Sequence, residues 1–135
     1  GPVEDTPEEK TPAPKTVAQK LLVKPKDQVF LAGGSAAEHA LLGELPEGAR
    51  VTNDAGGAEA AVVFATSRAA LEALLAEHLP SLLSCRAAWI AYPKGNRADI
   101  NRDSIWALLQ ESGHTLNANV SLGDVWSAVR IKTGP

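Results

Sequence analysis

The chain has 135 residues, 44% of them hydrophobic and 21% charged, with a formal net charge of −3. That length makes one domain the natural expectation, and the acidic balance argues against non-specific nucleic-acid binding. The single cysteine, Cys85, excludes an intramolecular disulfide and fits a reducing, cytoplasmic setting, while no apolar run approaches the roughly 20 residues of a membrane span.

Gly1-Pro2 reads as a protease-cleavage scar, and residues 3–15 are rich in Pro, Glu, Lys and Thr. With so little to bury, residues 1–15 are expected to form a disordered tail ahead of one α/β domain over 16–133. Thr16 predicts the cap of a short helix, VAQKLLV, which Pro25 stops. Val17, Leu21 and Leu22 would then pack on the sheet edge. A strand follows over Gln28–Leu31, or as far as Ala32, and runs into Gly33-Gly34-Ser35 and the helical pattern AAEHALLGEL. Strand, glycine pair and helix open a Rossmann-like unit, where a helix N-terminus offers free N–H groups. A plain strand-to-helix turn explains the glycine pair equally well.

Ala49–Thr52 predicts a short second strand, ending at Asn53-Asp54. An acid there is where nucleotide-binding folds grip a ribose, although Asn-Asp-x-Gly is also ordinary turn chemistry. Ala60–Ala65 is apolar on both faces, as a central parallel strand should be. Thr66-Ser67 then cap the clearest helix, with Leu71, Leu74, Leu75, Leu79 and Leu82 on one face, and Pro80 is expected to kink or stop it near His78. His78 suits a boundary position better than a metal ligand, since no partner has ligand spacing. No metal site and no catalytic triad can be assembled from His39, His78, His114 and Ser35.

Strand Arg86–Tyr92 opens into the polar loop PKGNRAD and a helix over about 101–112. Asp99 or Asn101 suits its N-cap, Asp103 suits its first turn, and Gly113 suits C′. Leu116, Ala118, Val120 and Leu122 alternate with Thr115, Asn117, Asn119 and Ser121. Gly123-Asp124 then turns the chain into VWSAVRIK, which predicts an antiparallel hairpin.

Alternating βα units imply a mostly parallel sheet with right-handed crossovers. The terminal hairpin resembles the ending of the S-adenosylmethionine-dependent methyltransferase fold. On that resemblance the fold class is an abridged Rossmann-like three-layer sandwich, with sheet order 2-1-3-4-6-5 and an antiparallel last strand. The connection from Asp54 to Ala60 is too short for a helix, hence the abridgement. The motifs around Tyr92-Pro93-Lys94, Asp99-x-Asn101-Arg102-Asp103 and Asp124-x-Trp126-Ser127-x-x-Arg130 resemble the DUF3052-type proteins, a small bacterial family. That resemblance implies a fold neighbourhood and no reaction.

The polar loop before the last helix is the densest chemistry in the chain. Lys94, Asn101, Arg102 and Asp103, with Trp126 and Arg130 from the final strand, are the candidate ligand-binding residues. Trp106 and Trp126 would flank such a site or fill the core. The expected function is non-enzymatic, with no cofactor: binding of a small anionic ligand or a protein partner at the carboxyl edge of the sheet. The alternative is a degenerate methyltransferase-like protein holding S-adenosylmethionine or a nucleotide through Gly33, Gly34 and Asp54. Asp124 or Arg130 would brace the polar loop against the hairpin, leaving Lys94 as the residue least needed for bracing.

Overall fold

A computed structural model describes residues 16–95 and 98–132. The expected tail therefore lies outside the described residues, as does the Asn96-Arg97 part of the polar loop. The element order is α1 (Val17–Lys20), β1 (Gln28–Ala32), α2 (Ala36–His39), β2 (Arg50–Thr52), β3 (Ala60–Phe64), α3 (Arg68–Leu83), β4 (Ala87–Pro93), α4 (Arg102–Glu111), β5 (Leu116–Ser121) and β6 (Trp126–Ile131). The sheet runs β2-β1-β3-β4-β6-β5. Its first four strands are parallel, and β6 is antiparallel to both β4 and β5. The expected order and the antiparallel C-terminal hairpin are both present.

Side-chain alternation along the central strands divides the core into two layers. Ala60, Val62 and Phe64 of β3 and Trp89 and Ala91 of β4 face α1, together with Leu42 from the 3₁₀ turn (Ala40–Leu42) that follows α2. Ala61, Val63, Ile90 and Tyr92 face α3 and α4, meeting Leu71, Leu75, Leu82, Ile105 and Leu109. All five β3 residues are buried, so this strand needs apolar residues on both sides. Between β2 and β3 the chain makes only a 3₁₀ turn, Ala55–Gly57, in place of a helix.

Several local expectations are corrected. The first helix stops at Lys20, because Leu22 turns to a positive φ of 68° and stays 40% exposed while Leu21 and Val23 are buried. Pro80 does not end α3, which continues to Leu83. Leu82, fully buried, rewards that last turn by about 1.5–3 kcal/mol, comparable with the proline's cost of roughly 3. The simple alternation of β5 fails at a register shift between Leu116 and Asn119. Leu116 packs on the α3/α4 side, whereas Val120 and Leu122 pack on the other.

Arg86 fastens the amino ends of the strands. Its guanidinium pairs with Asp27 through both terminal nitrogens and donates to the Leu22 carbonyl at 2.7 Å. Burial pushes the Asp27 carboxyl up, but the Arg86 hydrogen bonds, the Lys24 N–H and the nearby positive charge outweigh it and hold it below its ordinary value. Asp27→Asn is expected to cost about 2–4 kcal/mol in urea unfolding at pH 7. A carboxyl lowered in the native state stabilises above its unfolded pKa and loses that contribution as pH falls through its native pKa. The gap between wild type and Asp27→Asn should therefore shrink in acid, which urea midpoints at neutral and acid pH will check.

Candidate functional site

The carboxyl ends of β1, β3 and β4 lie along one edge, and strand order reverses between β1 and β3. In open α/β sheets ligands sit at such a switch point. Here the crevice is filled by the chain itself. Gly33 and Gly34 have φ of 73° and 69°, and a Cβ on Gly33 would stand 2.3 Å from the Phe64 carbonyl oxygen. These glycines let the turn press onto the end of β3. His39 Nε2–H donates to the Gly33 carbonyl at 2.8 Å, with its ring against Phe64. The Ser35 N–H and hydroxyl both donate to Glu38 Oε1 at 2.6 Å. Those two bonds hold the Glu38 carboxyl below its ordinary value. Asp54 accepts the Gly56 N–H at 3.0 Å, which is turn chemistry. Gly33, Gly34 and Asp54 thus serve local structure. This arrangement does not fit an open cradle for S-adenosylmethionine.

At the end of β4 the geometry is different. Tyr92, Lys94, Gly95, Asn101, Arg102 and Asp103 line a cleft of about 410 Å³. Four of the six expected ligand-binding residues meet there. Asn101 is the N-cap of α4: its side chain accepts the Ser104 N–H, and its own N–H donates to Ser104 Oγ, both at 2.9 Å. Asp99, the other cap candidate, instead accepts the Arg68 N–H at 2.7 Å and so caps α3. The first-turn N–H groups of a helix have no intrahelical acceptor, so α4 points donors and its positive dipole end at this cleft.

The other two expected residues lie elsewhere. Because β6 runs against β4, Trp126 stands opposite Pro93 but Arg130 stands opposite Trp89. Four residue steps carry Arg130 about 13 Å down the strand. There it donates to the Arg86 carbonyl at 2.9 Å. Trp126 packs on the α1/α2 side, edge-on to Phe64, whereas Trp106 packs on the α3/α4 side, so the two do not flank one site. Trp126 lines a separate cleft with Glu38, Leu41 and Asp124.

The bracing role also moves. Among the described residues, neither Asp124 nor Arg130 holds the loop to the hairpin. Lys94 does, with its N–H donating to the Val125 carbonyl at 2.7 Å and its Nζ to Ser121 Oγ at 3.0 Å. Ser121 carried no signal of its own in the sequence. Trp106 did carry one, since it lies one turn after Arg102, and the Arg102 guanidinium stands 6.0 Å over its ring.

No family model matches the chain, and no curated protein matches it in sequence. Solved structures do match in fold. Streptococcus pneumoniae Sp1610 in complex with S-adenosyl-L-methionine matches with a TM-score of 0.52 at 14% identity, over 87% of this chain and 70% of that one. The Bacillus subtilis M1A22 tRNA methyltransferase TrmK matches with 0.56 at 13% identity, over 87% and 64%. A SAM-dependent methyltransferase from Aquifex aeolicus matches with 0.51 at 12% identity, over 84% and 88%. The fold is therefore Rossmann-like, of the type seen in S-adenosylmethionine-dependent methyltransferases. The chain spans less than two thirds of the B. subtilis protein's length. Among the described residues, no helix is long and apolar enough to cross a membrane.

Gly33→Ala combines a left-handed φ with a backbone clash and is expected to cost at least about 2–4 kcal/mol in chemical denaturation. Lys94→Met keeps the backbone link and loses the bond to Ser121, so about 0.5–1.5 kcal/mol is expected. Amide exchange across residues 121–126 should rise in that variant while the β3 amides stay protected.

Proposed function

We propose that this chain is a small-molecule binding module on a methyltransferase-type fold, and that it holds an anionic group at the carboxyl end of β4. One observation carries the reading: Lys94 and Arg102 line the same cleft as the N-terminus of the ten-residue α4. Cations and open backbone donors together favour phosphate or carboxylate. Asp103 lines the cleft too, so the ligand that suits it carries a hydroxyl or amine beside its anionic group. Such a site positions a ligand and needs no reacting side chain.

A second reading, binding of S-adenosylmethionine, draws on the fold neighbours, one of them solved with that molecule. It would use the end of the sheet around Gly33, Gly34 and Asp54, where the first turn presses onto Phe64 and Asp54 accepts from its own turn. Neither reading involves a membrane or nucleic acid.

A thermal-shift and calorimetry panel separates the two. Phosphate esters, hydroxy-carboxylates, nucleotides and S-adenosylmethionine are tested against wild type, Arg102→Ala and Asp54→Ala. An anionic ligand should stabilise the wild type, by about 2.7 kcal/mol at a hundredfold excess over Kd, and lose that effect in Arg102→Ala. Stabilisation that survives Arg102→Ala, or none across the panel, would overturn the proposal. Stabilisation by S-adenosylmethionine that is lost only in Asp54→Ala would establish the second reading in its place.

A further inference from the structure

Beside the anion cleft, α4 and the edge strand β5 enclose a groove of about 280 Å³, lined by Arg102, Trp106, Leu116, Asn117, Asn119 and Val129 among others. We propose that this groove is the second subsite of the same ligand and takes a planar heteroaromatic ring rich in hydrogen-bond acceptors. The inference rests on the anion reading and extends it to a ligand class: a heterocycle bearing a phosphate or carboxylate.

Four observations converge. Arg102 lines both cavities, so a ligand whose anionic group meets that side chain has its body next to the groove. The groove falls just under the roughly 300–1,000 Å³ of a complete ligand site, a size for one ring. Three of its polar side chains offer donors. Trp106 Nε1–H is buried and meets no acceptor among the described residues, an arrangement that destabilises a protein unless something answers it. The hydroxyl of buried Ser127 stands 2.8 Å from Asn119 Oδ1 and 3.2 Å from the Val120 carbonyl, and its donation to the nearer oxygen leaves the Asn119 Nδ2 donors for a neighbour. With the Arg102 guanidinium, these donors ask for an acceptor, and the Asn117 amide can answer a donor or an acceptor. Finally, the register shift between Leu116 and Asn119 bends the strand at the groove, a device that re-aims side chains beside binding sites. Leu116 and Val129 supply an apolar floor on which a flat ring can lie.

Calorimetry on the full chain tests this with matched probes. Inorganic phosphate and ribose 5-phosphate carry the anion alone, and the nucleoside 5′-monophosphates add a ring. Acetate and pyridine carboxylates make the same comparison for a carboxylate. At least one ring-bearing anion should bind tenfold or more tightly than its ringless counterpart. Trp106→Phe, which keeps the ring and loses the N–H, should cut that advantage about three- to tenfold. Ala118→Leu, at an exposed groove position, should abolish it while leaving phosphate affinity unchanged. Should either variant fail to fold, as circular dichroism would show, the other still reads the groove. Equal binding of ringed and ringless anions, or a ring advantage that survives Ala118→Leu, overturns this inference and leaves the anion site standing. Binding of no anion at all overturns both.

Discussion

The fold depends on the knot that Arg86 ties at the amino ends of the strands. Its side chain holds Asp27 and the Leu22 carbonyl, its N–H donates to the Glu59 carbonyl at 2.8 Å, and its own carbonyl accepts from Arg130. Four separate segments meet on one residue. The Asp27 side chain is almost fully buried, so its charge would be costly unpaired, and the pairing specifies this one arrangement of α1 against the sheet. The buried Trp89 adds a second tie, its indole N–H donating to the Leu21 carbonyl at 2.9 Å. With that end closed, variation is left to the loops at the carboxyl end.

Those loops divide the work unevenly. A Rossmann-like sheet directs attention to the turn after β1 and the acid after β2. Here the first turn presses onto Phe64 and the acid caps its own turn. The short connection through Ala55–Gly57 brings β2 back to β3 without a covering helix. The loop after β4 is longer and leads into a full helix, so the cleft lined by Lys94, Asn101, Arg102 and Asp103 falls there.

Legibility followed the range of the interaction. The buried strand Ala60–Phe64, the leucine face of α3 and the hairpin were readable because each is a local pattern of apolar residues. Connection rules made the sheet mostly parallel, and its order followed from the resemblance of the antiparallel ending to the methyltransferase fold. What escaped was long-range. Asp99 looked like a cap for the helix it precedes, yet it caps α3, 31 residues back. Lys94 looked least needed for bracing because its partners, Ser121 and Val125, come from a hairpin whose position no local pattern fixes. Arg130 looked like part of the site because it is near Trp126 in sequence, and the antiparallel run of β6 carried it to the opposite end. The shift in β5 likewise has no marker in LNANVS, since Asn and Ala sit equally well in or out of a bulge.

The corrected role of Lys94 strengthens the case for the β4 cleft as a binding site. Affinity suffers when a ligand must order the groups that hold it. Here the walls are already fastened from several directions: Lys94 to the hairpin, Asp99 to the start of α3, Ile100 into the core, and Asn101 and Ser104 to each other across the start of α4. A surface loop whose polar residues served only solubility would not need so many anchors. Pre-organised donors on rigid elements are what a weakly populated, mixed-charge cleft requires to select one small ligand from many. The same anchors explain how the cleft is placed: the end of β4 and the start of α4 supply its walls, the hairpin and α3 hold those walls from behind, and the knot at Arg86 keeps the strands in register.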